Sequence, residues 1–252
     1  MVTMQAMAVG AVAAVAMVLA GGAGCATTSA MTESEASSNA AGASDKASGW
    51  IVLFDGESAE HFRGYRQEGF PVRGWAVIDG TLRRTPGQGG GDIITREQYA
   101  DFEFVCEWLV TPGANSGIIY RCTEDKGYTW ETGLEMQILD DEAHRDGSSP
   151  KTRAGSLYDL VPPMKNVVKP AGEWNEARVV AQGTRIRHYL NGDLIVDIDL
   201  NSDEYRKAHA ASKWPAMPDM GTRMKGHIAL QDHGDEVWFR NIRVRELRKS
   251  AE

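Results

Sequence analysis

The chain has 252 residues, 42% hydrophobic and 25% charged, enough apolar material for one domain of about 200 residues with extra segments. Its formal net charge is −8 and no stretch gathers Lys and Arg into a block, so nucleic acid is excluded as an expected partner. Twenty-seven glycines predict many tight turns, and therefore strands in preference to helices.

Residues 1–24 read as a targeting segment. The run Ala6–Gly24 (AMAVGAVAAVAMVLAGGAG) carries no charge and ends in small residues. Cys25 follows at once, in a setting similar to bacterial lipoprotein signals, where such a cysteine carries the lipid. Gly22 stands where a leucine is usual and no Lys or Arg precedes the run. A plain secretory signal and an uncleaved anchor therefore remain open readings. Residues 25–48, small, polar and aperiodic, predict a flexible tether. The expectation is an exported protein, periplasmic or anchored at the outer membrane, that meets the membrane only through its lipid.

From Gly49 to residue 248 the pattern is that of a folded domain. GWIVLFDG predicts a first strand closing on Asp55-Gly56, and GWAVIDGTLRR two strands about an Asp79-Gly80 hairpin. TPGQGGGDI lacks the Lys and the strand–helix context of a phosphate loop and reads as plain loop. DFEFVCEWLV alternates, TPGANSG turns, and GIIYRC returns. Pairing Val110 with Ile118 places Cys106 opposite Cys122 on an apolar face and Glu107 opposite Arg121 on a polar one. Two buried thiols are favoured over a cross-strand disulfide, whose geometry is demanding. GLEMQIL puts Met136 and Ile138 inward and Glu135 and Gln137 outward. One short strand is expected in AGSLYDLVPP. Three more follow in EWNEARVVAQGTRIRHYLNGDLIVDIDL, with turns at Gln182-Gly183 and Asn191-Gly192. A helical turn is expected near Glu204–His209, and GHIALQDHG and EVWFRNIRVREL close the domain. About twelve short strands with no sustained helical period predict an all-β fold, an antiparallel β-sandwich of jelly-roll type.

The outward faces are chemically loaded. Glu103, Glu107, Arg121, Glu135, Gln137, His227, Gln231 and His233 replace the Lys, Thr and Ser of an ordinary solvated face. Such groups hydrogen-bond sugar hydroxyls and move protons, although a solvated face with cross-strand ion pairs accounts for any one of them. Two long connections, 140–172 and 201–225, carry Tyr158 and Trp214, and Trp174 lies just past the first; their rings suit stacking on sugar. DDEAHRDG offers Asp140, Asp141, Glu142, His144 and Asp146 as oxygen and nitrogen donors. Its spacing matches no EF-hand or zincin, which leaves Asp140 and His144 as weak candidates for a divalent cation and no certain cofactor.

Taken in order, LFDG, W-x-V-x-D-G, YADFEF, NSGIIYR, LEMQILDD, AGSLYDLVPP, EWNEARVV, LNG and IALQDHGDEVWFRNIRV resemble the bacterial 3-keto-disaccharide hydrolase domain family over about residues 50–247. The resemblance implies a concanavalin A-like jelly roll. It also implies a small carbohydrate substrate already oxidised at C3 by a separate sugar 3-dehydrogenase, and cleavage of its glycosidic bond. It maps the family's polar positions onto Arg121, Glu135, Gln137, Gln231 and His233, with His144 in a loop where members vary. A C3 ketone acidifies the C2 proton. The expected roles are Glu135 or His233 as base, Arg121 or a cation on the enolate oxygen and His144 as acid. Gln137 and Gln231 orient hydroxyls, with Glu107, Tyr158 and Trp174 as further substrate contacts. Two alternatives stay open: a non-catalytic carbohydrate-binding module, and a conventional two-carboxylate glycosidase drawing on Glu103, Glu107 or Glu135.

Overall fold

The structure, a computed structural model, describes residues 49–248; the expected signal segment, Cys25 and the tether lie outside the described residues. Within them the chain forms thirteen strands: β1 (Ile51–Phe54), β2 (Phe62–Gly64), β3 (Trp75–Ile78), β4 (Thr81–Arg84), β5 (Ile93–Thr95), β6 (Phe102–Val110), β7 (Asn115–Cys122), β8 (Leu134–Leu139), β9 (Asn175–Gln182), β10 (Arg185–Leu190), β11 (Asp193–Asp199), β12 (His227–Leu230) and β13 (Val237–Glu246). The one α-helix among the described residues, α1 (Asp203–Ala210), starts at Ser202, whose hydroxyl accepts from the Tyr205 amide. The strands make two antiparallel sheets. One runs β11-β10-β9-β6-β13-β4-β3, with β1 also on β13; the other runs β2-β5-β12-β7-β8. The expected all-β jelly-roll sandwich is the observed architecture.

Hairpin chemistry fixes the short connections. Asp79 and Gly80 (φ +48° and +70°) join β3 to β4, and Asn191 and Gly192 (φ +52° and +86°) join β10 to β11. Both pairs carry the positive φ values of a type I′ turn. Between the sheets, Phe54, Phe62, Phe102, Phe104, Trp108, Ile118, Tyr120, Met136, Ile138, Ile228, Leu230 and Phe239 form one continuous core. Inside it, Tyr120 of the five-stranded sheet hydrogen-bonds His188 Nε2 of the eight-stranded sheet at 2.9 Å, and His188 Nδ1 donates to Gly155 O at 3.1 Å. Burial pushes the His188 pKa down to about 4, so a neutral ring pins the two sheets together.

The expected β6–β7 hairpin is not formed. β6 pairs with β13 and β9, β7 with β12 and β8, so Thr111–Ala114 crosses from one sheet to the other. Period-2 alternation assigns a face to each residue but says nothing of which strand lies alongside. Cys106 points into the core between the sheets. Cys122 lies on the outer face of the five-stranded sheet with Ile94, Ile119 and Ala229, and both are free buried thiols. AGSLYDLVPP forms only isolated bridges at Leu157, not a strand.

The crossover also moves Glu107. It faces outward on the eight-stranded sheet, held by Arg240 (Nε–Oε2 2.8 Å) and Asn241 (Nδ2–Oε1 2.6 Å). Glu103 is bonded there by Arg178 and Arg245, and the Arg240 guanidinium sits 4.0 Å over the Trp174 ring. These residues build the ion-paired outer surface of a sheet; the expectations of Glu107 and Trp174 as substrate contacts do not hold.

Candidate active site

A pocket of about 190 Å³ opens on the outer face of the five-stranded sheet. Its floor follows from strand register. β8 sends Glu135 and Gln137 outward; Ile119 lies opposite Glu135 and Gly117 opposite Gln137 on β7. Just past β12, the Gln231 amide donates to Gly117 O, extending the same row. Gly117 has a specific reason to be glycine: a Cβ there would lie 2.2 Å from Glu135 Oε1, so the carboxyl occupies the space a side chain would fill. With its amide nitrogen turned toward Glu135, Gln137 donates to Glu135 Oε1 (3.2 Å) and Ser116 O (3.0 Å); the other orientation sets acceptor against acceptor.

The walls come from the long connections. The stretch Gly155–Tyr158 is laced to β8: the Tyr158 amide donates to Glu135 O (3.0 Å), the Gly155 amide to Gln137 O (2.8 Å) and the Gln137 amide to Ser156 O (3.2 Å). Trp214 Nε1 donates to Tyr158 O (3.1 Å) and the Lys213 amide to Asp159 Oδ2 (2.9 Å), so the two long loops brace each other at the pocket. The Lys213 ammonium lies 4.5 Å from the Tyr158 ring centre and 4.6 Å from that of Trp214, a cation held between two aromatic faces. Trp130, from the 3₁₀ turn Thr129–Glu131, and His233, just past Gln231, also line the pocket.

Electrostatics single out Glu135. It is 8% exposed, and burial pushes its pKa from the ordinary 4.5 up to about 8. Lys213 opposes that rise, and Asp92, itself buried and pushed upward, adds to it. Among the described residues Glu135 is the only carboxylate lining the pocket. Two further buried groups there lack a partner in the protein: Asn115 Oδ1 and Gln231 Oε1, on side chains 4% and 9% exposed. Unpaired buried acceptors are costly, and these two line a pocket where a ligand hydroxyl would complete them.

Of the residues expected from sequence, the structure gathers Glu135, Gln137, Tyr158, Gln231 and His233 around this pocket. It removes Arg121. At the end of β7, His227 pairs with Cys122 and Ile228 with Tyr120, leaving Arg121 as a bulge residue at φ +56°. The bulge breaks the alternation and turns the side chain away from the polar face. The guanidinium, 1% exposed, donates to Ala100 O (Nε 3.0 Å, Nη2 2.7 Å) and Gly183 O (2.9 Å). Gly226 completes this lock, since a Cβ there would meet the Arg121 and Cys122 backbones at 2.4 Å.

His144 is not among the residues that line the pocket. Its Nδ1 accepts the Asp146 amide (3.1 Å) as the cap of a 3₁₀ turn, and its ring meets His233 edge-on at 6.4 Å. Asp140 spends its carboxylate on the amides of Gly113 (2.7 Å) and Glu142 (3.1 Å), ordering the crossover and the loop start. These placements do not support the cation expected at Asp140 and His144. No cluster of three or more His, Cys, Asp or Glu side chains among the described residues is arranged to hold a metal ion.

Lys213, Trp130 and Asn115 are pocket residues that the sequence reading passed over. The available signals were small: a lysine beside Trp214 in a long loop, and an aromatic pair spaced Tyr-x-Trp in the short link between β7 and β8.

Comparison with known proteins identifies the chain's relatives. The sequence profile of the 3-keto-alpha-glucoside-1,2-lyase-like domain family matches residues 49–245. A 3-keto-disaccharide hydrolase of Bacteroides thetaiotaomicron is 33% identical over 231 residues, spanning 80% of this chain and 79% of the relative. Among solved structures, a "putative glycosyl hydrolase" of Parabacteroides distasonis superposes with a TM-score of 0.74 at 29% identity, covering 81% of this chain and 97% of its own. A second from the same organism gives 0.60 at 28% identity, covering 79% and 99%. The chain therefore belongs to the 3-keto-alpha-glucoside-1,2-lyase-like domain family.

Proposed function

We propose that this chain cleaves the glycosidic bond of sugars that carry a ketone at C3, with Glu135 as the base that removes the C2 proton. The observation that carries this reading is the single pocket carboxylate, buried, pushed to a pKa of about 8 and facing a cation. A conventional glycosidase needs two carboxylates flanking the bond. Its other candidates, Glu103 and Glu107, are committed to arginines on the far sheet. A 3-keto sugar needs only one. The ketone acidifies C2–H, and a base with a pKa near 8 is stronger than an ordinary glutamate and suited to neutral or mildly alkaline conditions.

The remaining roles follow from placement. Glu135 takes the C2 proton and the electron pair moves into the C2–C3 bond, leaving negative charge on the C3 oxygen. Lys213 supplies the positive charge for that oxyanion, the role sequence reasoning gave to Arg121. The C1–O bond then breaks, with His233 protonating the departing oxygen. Water adding at C1, with a proton returned to C2, yields the 3-keto sugar. Asn115, Gln137 and Gln231 orient the ring hydroxyls, and Tyr158 holds Lys213 in place.

The ketone would be supplied by a separate sugar 3-dehydrogenase. The uncharged run before Cys25 supports export and lipid attachment of the chain. The test is to incubate the protein with matched glucosides, one oxidised at C3 and one not, and follow both by NMR. Cleavage of the keto sugar alone is expected. Cleavage of the plain glucoside would restore the two-carboxylate reading, and binding without cleavage would leave a sugar-binding module.

A further inference from the structure

The pocket is too small for a whole disaccharide. At about 190 Å³ it lies below the roughly 300–1,000 Å³ of typical ligand sites, so one sugar ring fits and the leaving group must rest on the rim. The rim offers few free aromatic faces. Tyr158 and Trp214 each carry the Lys213 ammonium on a face, and Trp174 lies under Arg240 on the other sheet.

Tyr128 differs. Its ring stacks on Trp130 at 5.2 Å between centroids and 11° between planes, yet the residue is 60% exposed. Trp130 both lines the pocket and supports Tyr128, so the pair steps outward from the site. The step is firmly anchored. The Tyr128 amide donates to Glu131 Oε2 (2.8 Å), and the wholly buried Thr129 gives its hydroxyl to Asp92 Oδ2. Asp92 Oδ1 accepts the Asp232 amide (2.8 Å), and Asp232 is bonded to Arg84 at 2.5 Å. One buried carboxylate thus ties the turn bearing Tyr128 and Trp130 to the strand end bearing His233. The aromatic step and the group placed to protonate the leaving oxygen share one bracket.

From this we infer that Tyr128, backed by Trp130, is the leaving-group subsite: a platform that stacks on a ring with a flat face, either an aromatic aglycone or a second pyranose. The inference rests on the proposed function and specifies the substrate class of the same site. It makes Tyr128 a specificity-determining residue, with no part in the chemistry at C1 and C2.

The test compares wild type with Tyr128→Ala and Tyr128→Phe on three 3-keto glucosides, whose leaving groups are methanol, a phenol and glucose. Comparing each variant with wild type on the same substrate cancels differences in leaving-group ability. Tyr128→Ala is expected to lower kcat/KM about 10-fold on the phenyl substrate, chiefly through KM, and to leave the methyl glucoside within about 2-fold. Tyr128→Phe keeps the stacking face and should restore it. A fall on phenyl but not on glucose would assign the platform to aromatic aglycones; a fall on both would assign it to flat rings in general. An equal fall on all three, or none on either ringed substrate, overturns the inference. If wild type turns over none of them, the proposed activity fails first. The subsite is then read by titrating unoxidised phenyl glucoside against wild type and Tyr128→Ala by NMR: weaker binding to the variant supports the platform, and equal binding overturns it.

Discussion

Replacing Glu135 with glutamine should do two opposite things. The side chain is buried on the floor of the pocket, with Gln137 on Oε1 and Gly117 leaving room beneath. Glutamine keeps that shape but cannot take a proton from C2, so turnover of a 3-keto glucoside should fall about 10²–10⁴-fold, the usual loss for a positioned base. Stability should move the other way as pH rises. The carboxyl ionises near its ordinary 4.5 in the unfolded chain and near 8 in the folded one. The folded state therefore binds the proton more tightly. Its contribution is fully present below about pH 4.5 and is lost as pH rises through 8. Between pH 5 and pH 9 this group alone costs the wild type about 4 kcal/mol, from about 1.4 kcal/mol for each pH unit up to the folded pKa of about 8, beyond which the cost levels off. Glu135→Gln removes the cost. Its Tm should gain on the wild type by about 8–16 °C across that range, at about 2–4 °C per kcal/mol for a chain of this size. Thermal unfolding of both proteins at pH 5, 7 and 9, beside the rate assay, reads both effects. Near-normal turnover would refute the assignment of the base, and a Tm difference that does not change with pH would refute the buried, proton-holding state.

Three other substitutions separate the site from its scaffold. Lys213→Met should lower kcat on a 3-keto glucoside about 10²-fold, because the enolate oxygen loses its cation. Since Lys213 holds the Glu135 pKa down, the rising limb of the kcat/KM–pH profile should also move to higher pH; an unmoved limb would contradict the coupling. Gly117→Ala should cut turnover while far-ultraviolet circular dichroism stays unchanged, because the new methyl group would lie where Glu135 Oε1 now sits. Arg121→Ala should destabilise the fold by about 2–4 kcal/mol, measured by urea unfolding, by stripping buried carbonyls of their donor. The fraction that folds should keep its kcat, against a catalytic role for Arg121.

Much of this was legible from the chain, and the failures have identifiable causes. The turns at Asp79-Gly80 and Asn191-Gly192 and the alternation of LEMQIL depend on local rules, and so the strands and the outward pair Glu135 and Gln137 could be read directly. The partner of a strand is not a local property. DFEFVCEWLV and GIIYRC look like a hairpin, but the first is paired by β13 and β9, both more than sixty residues on, and the second by β12 and β8, and that sent Glu107 to the wrong face of the molecule. A single bulge residue hid the fate of Arg121: one positive φ shifts the parity of everything beyond it. Lys213, Trp130 and Tyr128 reach the site from connections, where no period constrains a side chain.

The central claim is that the reaction begins with loss of the C2 proton to Glu135. A 3-keto glucoside deuterated at C2 tests it most directly. The account predicts a primary isotope effect on kcat/KM, together with solvent hydrogen at C2 of the released 3-keto sugar. Turnover with no isotope effect and with the C2 deuterium fully retained would mean that the C1–O bond breaks without passing through the enolate, and the role given to Glu135 would fall with it.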